Sequence, residues 1–133
     1  MNEEPRVCIL GGSGFVGTQL CLRLLKSGAQ VKLLTRATER CAHLATLEGM
    51  QIKSITDYSY ACLRQELQDC DVLINLIGIL NEKGNDGAQF HAVHVGITRD
   101  ALTACQDTGV KRLLQMSALN ADRHGPSHYL RSK

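Results

Sequence analysis

The sequence predicts an α/β fold, a doubly wound parallel sheet with helices on both faces. Three observations predict it. Short apolar runs alternate with segments of helical spacing along the whole chain. The first run passes through a glycine-rich turn directly into a helix. The helical segments end at Gly28, Gly49 and Gly109, where a left-handed C-terminal cap belongs. Strand and helix in strict alternation require parallel pairing, because each crossover helix returns the chain in the same direction.

The elements follow in order. Val7-Cys8-Ile9-Leu10 reads as a buried strand, and Val16, Leu20, Cys21, Leu24 and Leu25 recur at helical spacing behind it. Val31–Leu34 is the second strand. Cys41, Leu44 and Leu47 mark a helix before the third strand, Ile52–Ile55. A shorter helix carries Tyr60, Leu63 and Leu67 on one face, and Val72–Ile77 is the fourth strand. The polar stretch Asn81–Gly87 reads as a flexible loop, either facing a ligand or simply solvated. The longest helix carries Phe90, Val93, Ile97, Ala101 and Cys105, and Leu113–Met116 is the fifth strand. Right-handed crossovers then give the strand order 3-2-1-4-5.

At 133 residues the chain is expected to be one domain, residues 1–133. A hydrophobic content of 44% and a charged content of 21% are those of an ordinary globular chain. A net charge of +2 gives no reason to expect nucleic acid as a partner. No apolar run reaches the ~20 residues that span a bilayer. The start, Met1-Asn2-Glu3-Glu4-Pro5, lacks the basic and apolar regions of a secretory signal, so a cytoplasmic location is expected. None of the six cysteines forms a Cys-x-x-Cys pair. They read as reduced core thiols, and no metal site is expected.

The chemistry is concentrated in Gly11-Gly12-Ser13-Gly14-Phe15-Val16-Gly17. Strand, glycine turn and helix together form a cradle for a dinucleotide pyrophosphate. One glycine makes the tight turn, one lets backbone amides approach phosphate, and one lets helix and strand pack closely. The helix N-terminus adds favourable partial charge. The cofactor expected is therefore NAD(H) or NADP(H). Thr35-Arg36 closes the second strand, where an acidic residue would hold the ribose hydroxyls of NAD(H). An arginine there can pair with a 2′-phosphate, so NADP(H) is favoured. Asp57 is a candidate acceptor for the adenine amino group, or else an N-cap for the short helix. Leu76, Ile77 and Gly78 close the fourth strand, and Gly78 permits close backbone approach. Tyr129 and Lys133 stand four apart, on one helix face, and an ammonium near a phenol lowers the phenol pKa. Ser117, at the end of the fifth strand, is the candidate to orient a substrate oxygen.

Together these residues resemble the short-chain dehydrogenase/reductase superfamily, in its extended or atypical, NAD-dependent epimerase/dehydratase branch. The resemblance runs from Val7 to Lys133. It implies Gly11, Gly14 and Gly17 on cofactor phosphate, Asp57 on adenine, Asn75 to Gly78 along the cofactor, and Tyr129 with Lys133 as the catalytic pair. Asn75-Leu-Ile-Gly-Ile-Leu80, Ala92-Val-His-Val95, Met116–Asp122 and Pro126–Lys133 narrow it to bacterial relatives of the dehydrogenase-like accessory subunit of respiratory complex I. The implied function of the full-length form is a nicotinamide-dependent oxidoreductase or a nucleoside-diphosphate-sugar epimerase, acting on a small molecule or a nucleotide sugar. The alternative is a non-catalytic NADP(H)-binding assembly or redox-sensing module, with a membrane-complex partner implied by resemblance. Family members continue into further strands and a substrate lobe. The chain therefore reads as the N-terminal portion of a longer fold, inactive by itself, with an open fifth-strand edge that favours a homo-oligomer.

Overall fold

The computed structural model describes residues 3–133. Five parallel strands form one sheet in the order β3-β2-β1-β4-β5. They are β1 (Arg6–Leu10), β2 (Gln30–Thr35), β3 (Met50–Ser54), β4 (Val72–Asn75) and β5 (Arg112–Gln115). The central strand sets the register. Val7 pairs with Val31 on one side and Val72 on the other, and Leu10 pairs with Leu34 and Asn75. Its side chains alternate between two cores, as a sheet covered on both faces requires. Val7 and Ile9 join Val31, Leu33 and Ile74 under α1 (Phe15–Lys26), where Cys21, Cys41 and Leu44 close the cluster. Cys8 and Leu10 join Leu34 and Leu73 under α2 (Tyr60–Glu66) and α4 (Ile97–Thr108).

The helices differ from the expected pattern in instructive ways. Between β2 and β3 the chain forms a 3-10 helix, Thr38–Leu44, and Leu47 falls outside it, partly exposed. Two buried side chains, Cys41 and Leu44, anchor this segment. The longest helix is three pieces in one run: α3 (Ala88–Phe90), a π-helical stretch His91–Gly96, and α4. Gly109 ends it in the left-handed region, with φ +75°. The Asn81–Gly87 loop is pinned at its far end. Glu82 accepts hydrogen bonds from the Gly87 amide (2.8 Å) and the Phe90 amide (3.4 Å). Lys83 donates its amide to Gln89 Oε1 at 2.8 Å. A carboxylate at a helix start satisfies amides that lack intrahelical partners.

Cys8, Cys21, Cys41, Cys70 and Cys105 are buried, spread over both cores, and Cys62 is half-buried. Burial pushes the Cys21 and Cys105 thiols up to about 11. One buried carboxylate sits among ammonium groups: Glu66 bonds Lys32 at 3.2 Å and Lys53 at 3.1 Å. Among the described residues no helix is long and apolar enough to cross a membrane.

Candidate functional site

The strand order reverses at β1 and β4, so a crevice opens at their carboxyl ends, where ligands of such sheets bind. The glycine turn forms one wall. Gly11 adopts φ +75°, and a Cβ there would come within 3.0 Å of the Leu76 carbonyl carbon and the Ile77 amide. Only glycine lets the β1 turn lie flush on the exit of β4. Gly17 is tighter, since its Cβ would fall 2.2 Å from Gly12 Cα. Gly14 differs: a Cβ there would meet only Gly11 O, at 3.7 Å, and would otherwise point into open space. Gly14 is also the N-cap of α1, which has no side-chain cap and no acidic residue in its first turn. The first amides of this 12-residue helix therefore face the crevice with no carboxylate competing for them. That geometry fits a pyrophosphate. Ser13 is half-buried beside it, while Phe15 and Val16 are exposed at the rim.

The adenine side is built from β2 and β3. Thr35 is buried, and its Oγ1 accepts the Ala37 amide at 3.0 Å, which turns the chain after β2. Arg36 lies over the Tyr58 ring, 5.6 Å from its centroid. Burial pushes the Tyr58 phenol up, with the Arg36 guanidinium opposing. Asp57 does not cap the short helix. The N-cap of α2 is Ser59, whose hydroxyl accepts the Cys62 amide at 3.4 Å. Asp57 instead accepts the Ser59 amide at 2.9 Å, and hydrogen bonds from Ser59 hold its carboxyl below the usual range.

The other end of the crevice gathers β4, the π turn and α5 (His128–Ser132). Ser127 caps α5 by accepting the Leu130 amide at 3.1 Å. Lys133 follows α5, with its amide donated to Tyr129 O at 3.1 Å. Its ammonium lies beside Gly78, where an added Cβ would be 3.0 Å from Nζ, and it donates to Met116 O at 3.3 Å. Partial burial holds Lys133 below the ordinary lysine value. Tyr129 packs edge-on against Phe90 and His94, with ring centroids at 5.9 and 5.6 Å. Ser117 Oγ donates to the main-chain oxygen of Lys133 at 3.2 Å. Lys133 thus joins Gly78 and Ser117, while Tyr129 is held in an aromatic cluster.

Two buried polar residues complete this end: Asn75, which the resemblance set along the cofactor, and His94, which sequence reasoning did not single out as a site residue. Asn75 accepts the Ile77 amide on Oδ1 at 3.0 Å and donates Nδ2 to Gln115 at 2.9 Å, which fixes the turn after β4. His94 is 5% exposed. Its Nε2 accepts the Ile79 amide at 3.0 Å, and its Nδ1 lies 2.8 Å from Ser132 Oγ. The available signal was an amide at the end of an apolar strand and an imidazole on a buried helix face. Burial, with help from the Lys133 ammonium, holds His94 below its ordinary value of 6.5. A depressed histidine pKa contributes stability that is full above pH 6.5 and is lost as pH falls through the lower folded value. Thermal midpoints at pH 7.5 and pH 5 check this. The drop on acidification is expected to be smaller in His94→Asn, and an equal drop would count against it.

An open parallel sheet with a glycine-lined crevice at its switch point defines a nucleotide-binding protein of Rossmann type. Residues 7–126 match the model of the NAD dependent epimerase/dehydratase family, and the chain belongs to that family. A 4-hydroxy-2-methyl-3-oxo-4-farnesyl-3,4-dihydroquinoline-1-oxide ketoreductase from Stigmatella aurantiaca is 28% identical over 112 residues, 84% of this chain and 33% of the relative. Subunit 9 of the NADH dehydrogenase (ubiquinone) 1 alpha subcomplex from Mus musculus, a mitochondrial protein, is 30% identical over 129 residues, 94% of this chain and 34% of the relative. A UDP-N-acetylglucosamine 4-epimerase from Bacillus cereus shares the fold, with TM-score 0.73 at 20% identity, over 93% of this chain and 44% of that one. The chain spans about a third of the two curated relatives named.

Proposed function

We propose that the crevice binds NADP(H) and serves hydride transfer between the nicotinamide and a carbonyl or alcohol carbon. The reading rests on one observation above all: the glycine turn and the Lys133 ammonium both approach the exit of β4, Gly11 against Leu76 and Ile77 and Lys133 against Gly78. Gly11, Gly14 and Gly17 would hold the pyrophosphate, with Ser13, Phe15 and Val16 around it. Leu76, Ile77 and Gly78 would line the path to the nicotinamide. Arg36, with Thr35 beside it, would meet a 2′-phosphate, and Asp57 would meet the adenine amino group. When bound, the nicotinamide supplies or accepts the hydride. Tyr129 would give or take the proton at the substrate oxygen, Lys133 would favour its phenolate, and Ser117 would orient that oxygen. Family membership and the ketoreductase relative support this chemistry.

A second reading has its own support. The Ser117 hydroxyl is bonded to the Lys133 main chain, and the mouse complex I subunit aligns over 94% of the chain. Both fit a module that holds the dinucleotide without turning it over, in contact with a larger assembly.

Titration with NADPH and NADH, followed by nicotinamide fluorescence, tests the site. NADPH is expected to bind more tightly. Arg36→Ala is expected to weaken NADPH about tenfold, the effect of one charge-assisted contact, and to leave NADH unchanged. Binding of neither dinucleotide would overturn the reading. An unchanged NADPH-to-NADH ratio in the variant would overturn the choice between them.

A further inference from the structure

We propose that His94 is a positioning residue for Tyr129 and Lys133, its imidazole bridging the Ile79 amide and the Ser132 hydroxyl so that α5 is fixed against the exit of β4. The inference rests on the dinucleotide reading above and adds a residue to it. The hydrogen bonds impose one arrangement. The Ile79 amide can only donate, so Nε2, at 3.0 Å, must be the lone-pair nitrogen. The ring proton therefore sits on Nδ1 and is donated to Ser132 Oγ at 2.8 Å. Ser132 in turn donates its hydroxyl to the main-chain carbonyl of Tyr129 at 3.0 Å. Both imidazole nitrogens and the Ser132 hydroxyl are thus partnered, and the imidazole is neutral in this arrangement.

The bridge ends where the reaction would occur. Gly78 precedes the amide that His94 holds, and a Cβ on Gly78 would lie 3.5 Å from His94 Nε2 and 3.0 Å from Lys133 Nζ. Phe90 and His94 together clasp the Tyr129 ring, the His94 centroid 5.6 Å from each of the other two. The π-helical register supplies the reach: His94 lies inside the stretch His91–Gly96 that interrupts the long helix. Such turns are frequent at functional sites because they re-aim a side chain. A five-residue helix such as α5 is marginal in isolation, so its placement depends on contacts of this kind.

Two experiments test the bridge. Long-range proton–nitrogen correlation spectra at pH 7.5 report the tautomer of His94 in the wild-type chain. The Nδ1–H form is expected, and the Nε2–H form would overturn the proposal. Titration with ADP-ribose and with NADPH then separates the two ends of the cleft. His94→Phe keeps a ring for Tyr129 but cannot bond Ile79 or Ser132. It is expected to weaken NADPH about tenfold, the effect of a lost buried hydrogen bond, and ADP-ribose less than about twofold. His94→Asn retains an acceptor and a donor and is expected to fall between. Ser132→Ala removes one end of the bridge from a less buried position, and serves if the phenylalanine variant does not fold. Equal weakening of both ligands, or of neither, in Ser132→Ala and His94→Phe would overturn the assignment. If wild type binds neither ligand, the dinucleotide reading fails, while the tautomer still decides the bridge.

Discussion

Gly17→Ala is expected to cost the chain about 3 kcal/mol or more of folding stability, a large share of the total for a domain of this size. The added methyl would lie 2.2 Å from Gly12 Cα and 2.5 Å from its carbonyl carbon. Those are backbone atoms, so no rotamer change can relieve the overlap. Either α1 lifts from β1 or the glycine turn deforms, and both open the core around Cys21. Gly14→Ala is the informative contrast. Its φ of −82° suits any residue, and its methyl would meet only Gly11 O at 3.7 Å. Stability should change by less than about 0.5 kcal/mol, as at other unstrained sites. Dinucleotide binding should nevertheless fall sharply, because the methyl occupies the space a phosphate would take. Urea unfolding and NADPH titration of the two variants check both halves. A Gly17→Ala protein as stable as the parent would refute the packing argument. A Gly14→Ala protein binding as well as the parent would place the phosphate elsewhere.

Glu66→Leu is expected to destabilise by about 3 kcal/mol, the usual cost of removing one partner from a buried ion pair. Glu66 is 5% exposed and holds Lys32 and Lys53 at 3.2 and 3.1 Å. Lys53 is half-exposed and can turn to water, whereas Lys32 is mostly buried. It would keep only Asp69 at 3.4 Å and the main-chain oxygen of residue 66 at 2.7 Å. Replacing both partners should recover most of the loss, so Lys32→Met with Glu66→Leu is expected within about 1 kcal/mol of the parent. Urea unfolding of the two single variants and the double variant measures the coupling, and additivity would argue that the pair contributes nothing. Burial works to lower the Lys32 ammonium, but the Glu66 and Asp69 carboxylates outweigh it and hold its pKa above 10.5. The stability linked to the Lys32 ammonium is thus full below pH 10.5 and is lost as pH rises through the higher folded value.

The sheet was readable because parallel strands covered on both faces announce themselves as unbroken apolar runs. Val7–Leu10 and Val31–Leu34 needed only one or two residues added at their ends. The glycine turn was readable because its spacing has a steric reason, which Gly11 and Gly17 display. Less readable was what distant residues decide. The roles of His94 and Glu66 emerge only when Ile79, Ser132, Lys32 and Lys53 arrive from other elements. The segment after β2 has helical spacing, yet only part of it finds a core to pack on. Asp57 and Ser59 both favour caps and stand two apart. The structure resolves their competition by nesting one inside the other, Asp57 on the Ser59 amide and Ser59 on the Cys62 amide.

The distribution of the cysteines has a practical consequence. Each core holds a thiol that burial keeps protonated, Cys21 in one and Cys105 in the other, and the thiolate is the reactive form. In the folded chain they are sheltered from alkylating reagents. Any opening of either face, from fraying of α4 to global unfolding, uncovers a nucleophile. The molecule therefore carries its own gauge of partial opening, readable cysteine by cysteine by mass spectrometry. An episode of unfolding in an oxidising solution would also leave a covalent record, as mispaired disulfides that the native packing cannot accommodate.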